Sequence, residues 1–164
     1  MSAYDSSEWT DLFLAAAGAA AALAGLVFVA VSINVDRILR LPGLPARALA
    51  TVLLLLSVVL VSLIGLIPGQ SRVALGAELL GEGLVFAVAT LVLTSRSMVG
   101  RDAHRAHAFL QWLLVALGTV PFVLGAVSIV ADAGGGLYWI AAGIVLATAG
   151  AVLNAWVLLV EILR

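Results

Sequence analysis

Two acids four residues apart, Glu78 and Glu82, interrupt an otherwise apolar stretch from Val73 to Ser95. At that spacing they share one face of a helix. Carboxyl groups in such a setting can take up and release a proton, or offer oxygen to a hard cation. Like charges one turn apart disfavour each other, so the pair is expected to share one proton and to titrate as a coupled pair. Two carboxylates fill only part of a cation's coordination shell, and converging subunits would have to complete it. No cofactor and no metal centre are therefore expected.

The other polar residues near apolar runs are few. Asn34 and Asp36 stand beside Arg37, where they suit a helix terminus and an interfacial ion pair, or else a cytosolic mouth. Gln111, Gly118, Gly125 and Asp132 recur at intervals of seven, a period suited to packing between helices. Asn154 falls within an apolar run and requires a side-chain or carbonyl partner there. Asp36, Gln111, Asp132 and Asn154 thus read either as packing and turn residues or as parts of a polar pathway. Pro121 lies near the middle of its run, removes a backbone hydrogen bond and predicts a kink, either local architecture or a hinge. His104 and His107, with Asp102 nearby, are too sparse for a ligand cluster.

Several chemistries are excluded by residue type. There is no cysteine, so thiol catalysis, disulfides and iron–sulfur ligation are out, and all eight basic residues are arginine, which removes Schiff-base lysine chemistry. No HExxH, Walker, Rossmann or GxSxG pattern occurs. An enzyme is not expected. A net charge of −1 predicts no general attraction to nucleic acid.

The elements that position these residues are membrane helices. Only 10% of the chain is charged and 64% is hydrophobic, against about 25% charged in a soluble domain. Five apolar runs, Leu12–Ile33, Ala48–Ile67, Val73–Ser95, Phe109–Ala131 and Leu137–Val160, are each near the ~20 residues a bilayer requires. The fold expected is a single all-α transmembrane bundle over residues 1–164, with four spans as the alternative if the alanine-rich first run lies on the surface. Met1–Asp11 carries three acids and no base, unlike a cleaved signal peptide, so the first run is read as a retained helix. Arg37, Arg40 and Arg47 in the first connection, with Arg96, Arg101 and Arg105 in the third, place those loops inside, the N-terminus outside and the C-terminus inside. Trp9, Trp112, Tyr138, Trp139 and Trp156 are the expected interfacial anchors.

Packing expectations follow from residue size. The first run carries a stripe of Ala15, Gly18, Ala22, Gly25, Ser32 and Asp36, read as a packing face. The second run is bulky and unpatterned, which suits a lipid-facing rim, with Ser57 and Ser62 bonded back to the preceding turn. The third has acids on one side and Gly76, Gly83, Ala87, Thr90 and Thr94 on another, so both faces are expected to avoid lipid. The fifth carries Gly143, Ala147, Gly150, Asn154 and Glu161 on one face. These stripes exceed the needs of one small bundle and predict a homo-oligomer.

The stretch Trp9-Thr10-Asp11-Leu12-Phe13 through Gly18 and Ala22 to Gly25-Leu26-Val27-Phe28-Val29-Ala30-Val31-Ser32-Ile33-Asn34 resembles the start of a group of small bacterial membrane proteins sometimes labelled modulators of a membrane-bound AAA protease. The resemblance implies a regulatory protein contacting a membrane protein partner. The alanine, leucine and arginine bias points to a high-GC bacterial genome and hence the plasma membrane. Two functional expectations stand side by side: an oligomeric channel or transporter in which Glu78 and Glu82 ring a cation or proton path, and a non-catalytic structural or regulatory subunit.

Overall fold

The chain folds into an all-α, polytopic membrane helix bundle with about four apolar spans. In the computed structural model a 3-10 turn, Ser6–Trp9, leads into α1 (Thr10–Ile33), α2 (Val35–Arg40), α3 (Leu44–Gly65), α4 (Arg72–Ser97), α5 (Arg105–Ala131) and α6 (Leu137–Leu163). The structure describes residues 3–97 and 105–163, with 97, 105–111, 114 and 161–163 described in backbone only. Four described helical segments are long and apolar enough to cross a membrane: Ser6–Ile33, Leu44–Gly65, Arg72–Arg96 and Leu137–Val160. The described part of α5 adds a shorter apolar stretch, Val115–Ala131.

Local signals place the helix boundaries. The Asp5 carboxylate accepts from the Ser7 backbone N–H at 3.0 Å and from its hydroxyl at 2.7 Å, capping the first turn. These bonds hold the Asp5 carboxyl below its ordinary range. Gly43, at φ 80°, breaks the chain between α2 and α3, and Pro45 enters the first turn of α3, where its missing N–H costs nothing. Arg47, assigned to the connection by its neighbours Pro42 and Pro45, therefore lies inside α3. The turn after α5 has Asp132, Gly134, Gly135 and Gly136 all at positive φ, a run only glycine-rich sequence can supply. It is tied to the N-terminal segment: the Leu137 N–H donates to the Ala3 carbonyl at 2.8 Å, and the Gly135 N–H to the Tyr4 hydroxyl at 3.3 Å.

Helix α3 is the centre, not the rim. It packs against α1, α4 and α6, while α5 closes the bundle between α4 and α6. Leu54, Leu55, Val58 and Val61 of α3 lie in the core with Leu79 of α4, Phe122 and Ile129 of α5, and Ile140 and Ala147 of α6. The expectation failed because lipid and protein core are equally apolar, so bulky residues suit either. The usable signal was the hydroxyls. Thr51, Ser57 and Ser62 are buried, and each bonds back to its own helix, to Arg47 O, Leu54 O and Val58 O.

The other packing expectations divide. On α4, Gly76 and Gly83 do meet α5: a Cβ at Gly76 would lie 2.6 Å from Val130 Cγ2, and one at Gly83 would lie 3.4 Å from Val123 Cγ2. Thr90 and Thr94 are buried on the same face. However, Leu84, Val85, Val88, Leu91 and Val92 are exposed, so α4 has one protein face and one lipid-compatible face and is not interior on both sides. The stripes of α5 and α6 meet each other: Gly118 faces Ala147, Gly125 faces Ile140 and Gly143 faces the Phe122 ring. On α1 the expectation is reversed. Phe13, Ala16 and Ala20 pack inward, whereas Ala15, Gly18, Ala22, Gly25, Ser32 and Asp36 are all exposed. Trp9 is likewise buried, set edge-on to Tyr138 at 4.8 Å and 85°, and is not a surface anchor; Trp112, Tyr138, Trp139 and Trp156 are exposed.

Candidate functional site

The two α4 acids occupy different surroundings. Glu78 is exposed, and Gln70 Nε2 donates to its Oε2 at 2.5 Å. Glu82 is half-buried, and both of its carboxyl oxygens are shielded from solvent with no hydrogen-bond partner among the described residues. A rotation of about 100° per residue explains the difference. Glu82 falls in line with Leu75 and Leu79, which are 2% and 0% exposed, whereas Glu78 is rotated outward from them. The acids remain one turn apart, but the protomer does not enclose them as a pair.

Position along the helix separates them further. Counting from Arg72 at 1.5 Å per residue, Glu78 lies about 9 Å and Glu82 about 15 Å along the axis of α4. Glu82 has no donor and no counter-ion among the described residues.

Polar groups gather at the two ends of the bundle. At the end nearer Glu78, Arg72 of α4 forms an ion pair with Asp132, and Ser128 closes the glycine-rich turn through the Ala133 carbonyl and the Gly136 N–H. Asp132 thus takes the turn role expected of it and also ties α4 to the α5–α6 connection. At the opposite end, Arg47 Nε donates to Asn154 Oδ1 at 2.7 Å, and Asn154 Nδ2 donates to Thr51 Oγ1 at 2.6 Å. Asn154 therefore finds the partner its position required. Arg47 and Thr51 were not foreseen as members of this network. The signal was present, since four residues separate them, one turn of helix.

Replacing Asn154 with leucine removes both cross-helix bonds and strips a bonded guanidinium nitrogen of its acceptor. Hydrogen bonds to charged groups contribute about 1.5–3 kcal/mol. The variant should lose about that much stability, read as a lower thermal midpoint in detergent, while Asn154→Asp retains an acceptor for Arg47 and loses less.

Asp36 is exposed in the first turn of α2, where a carboxylate complements the helix N-terminus. Pro121 is buried inside α5. The side chains of Gln111, His107 and Glu161 are outside the described set, as are Asp102 and His104 entirely. Among the described residues no three acids or histidines cluster as a metal site would require.

Fold and composition together define the class: a small multi-pass α-helical membrane protein. Within that class, no family model, no curated protein and no solved structure matches the chain.

Proposed function

We propose that the protein is an oligomeric proton or cation carrier or channel of the bacterial plasma membrane, and that Glu82 is its ion-handling group. The supporting observation is the Glu82 carboxyl: shielded, at mid-helix depth and without a donor or counter-ion among the described residues. A charge in that position lacks compensation, so a proton or a cation is the chemical partner it calls for. Glu78, held by Gln70 nearer the helix end, serves as the outer relay. In this reading five helices cross, α5 included, with the arginine-rich connections inside and the N-terminus outside. Pro121 is the proposed hinge of α5, and Asp36, Gln111, Asp132 and Asn154 line the approaches at the two ends.

The test is chemical block. Reconstituted protein should dissipate an imposed pH or cation gradient, and dicyclohexylcarbodiimide, which adds to protonated carboxyls in apolar surroundings, should stop that flux as the adduct accumulates on Glu82. Flux that continues after stoichiometric modification of Glu82 would sink the proposal, as would flux no faster than in empty vesicles.

A second reading is favoured by α1. Its small-residue stripe faces away from the protomer, and a Cβ at Gly18 or Gly25 meets nothing within 4 Å. A helix face of that kind suits close approach by another membrane helix, either from a second copy or from a partner such as a membrane protease, the partner that the resemblance in this same helix implies. In that case the protein is a structural or regulatory subunit. Gly18→Leu with Gly25→Leu should leave the protomer's stability unchanged and dissociate the assembly, as read by detergent-corrected mass. Unchanged mass would remove α1 from the interface.

A further inference from the structure

A groove opens between α1 and α6 over α3. Leu55 and Ala151, 1% and 0% exposed, form its floor, and Leu23, Val27, Val152 and Trp156 belong to its walls. The cavity measures about 200 Å³. Its lining is wholly apolar, and Trp156 and Val152 are 68% and 45% exposed, so the groove opens to the side of the bundle where lipid lies. Such a surface accepts a flexible hydrocarbon chain.

The charge at one end of the groove specifies what the chain belongs to. The groove extends along α6 to Leu159, and the preceding residue, Leu158, packs with Ile38 of α2, Leu44 of α3 and Val31 of α1. Ile38 thus fastens α2 beside the Leu158–Leu159 end of α6, and Arg37 and Arg40 are carried on the same short helix. Both arginines are exposed, and their side chains make no ion pair or hydrogen bond among the described residues. Asp36 is the one acid on α2, so the segment keeps a positive excess. Arginine presents a planar fork matched to phosphate. The positive-inside distribution sets this end in the cytoplasmic leaflet, where anionic lipids attract basic segments next to membrane helices.

We propose that this groove is a binding site for one anionic phospholipid, with an acyl chain laid between α1 and α6 and the phosphate held by Arg37 and Arg40. The site is independent of Glu82 and of any ion flux. Its occupancy ties α2 to the outer face of α6 and covers apolar surface that α1 leaves open.

The experiment is lipid titration of the full-length, detergent-purified protein, read by native mass spectrometry. The probes are dioleoylphosphatidylglycerol and dioleoylphosphatidylcholine. The glycerol lipid should bind at least about fivefold more tightly, the effect of roughly one arginine near an anionic phosphate. Arg37→Gln with Arg40→Gln should bring the two lipids to equal affinity. Ala155→Leu, which fills the groove from α6, should weaken both lipids. Val152→Trp fills it from the exposed side and serves if Ala155→Leu fails to fold. Equal affinity of the two lipids for the parent protein would overturn the proposal. So would a phosphatidylglycerol preference that survives loss of both arginines, or binding unchanged when the groove is filled.

Discussion

Gly125→Ala should destabilise the protein by about 2 kcal/mol, whereas Gly18→Ala and Gly25→Ala should not destabilise it at all. A Cβ at Gly125 would sit 2.6 Å from Ile140 Cδ1, 2.9 Å from Cγ1 and 3.1 Å from the Ile140 backbone nitrogen. The isoleucine tip can rotate, but the backbone nitrogen cannot, so α5 and α6 must separate. Overpacking of this kind costs about 1–3 kcal/mol, which in a chain of this size lowers a thermal midpoint by a few degrees per kcal/mol, about 4–8 °C here. The α1 glycines face open space, so alanine there only improves helix propensity, by up to about 1 kcal/mol. Thermal unfolding of the three variants in one detergent checks the contrast. Equal losses at all three positions would mean that α1 and α5 are buried to the same degree, contrary to the packing described.

Glu82→Leu should make the protein more stable. An enclosed carboxyl with no partner costs about 1–3 kcal/mol relative to a satisfied group, and leucine of similar reach fills the same space without that cost. The midpoint should rise accordingly, and the variant should lose whatever ion handling the parent has. A gain in stability coupled to a loss of ion handling is the stability–activity trade-off expected of a functional group. The opposite outcome is equally informative. If Glu82→Leu lowers stability and dissociates an oligomer, the carboxyl is bonded across a subunit boundary, and its role is assembly. Glu78→Leu removes only a bond from Gln70 at an exposed site. Its effect on stability should stay within about 1 kcal/mol.

The membrane class, the helical segments and their approximate limits were legible in the sequence, because bilayer thickness and helix rise impose length on apolar runs. So were the heptad-spaced glycines of α5 and the small-residue face of α6 as packing surfaces, though not which residue meets which, since close approach needs small residues wherever it occurs. Burial was not legible by the same logic. Gly18 and Gly25 carry the same pattern as Gly118 and Gly125, yet one pair faces outward and the other faces Ile140 and Ala147. Small size permits contact without demanding it. The centrality of α3 was hidden because Leu54, Val58 and Val61 would be as comfortable in lipid as in a core.

For the candidate site, spacing alone put Glu78 and Glu82 together. The orientation of α4 then separated them, turning one toward Gln70 and the other inward. Asn154 could be predicted to need a partner, but not which one. Arg47 lies 107 residues away in the chain, and only the α3–α6 contact brings it within 2.7 Å.

The central claim, that Glu82 carries the ion, is tested most directly by flux through purified protein in vesicles with the membrane potential clamped. Parent, Glu82→Gln and Glu78→Gln would be compared at equal protein density, for protons and for a monovalent cation. The parent should give flux above empty vesicles, Glu82→Gln flux at the empty-vesicle level, and Glu78→Gln flux that is retained but slowed. Flux in Glu82→Gln equal to the parent's would contradict that claim.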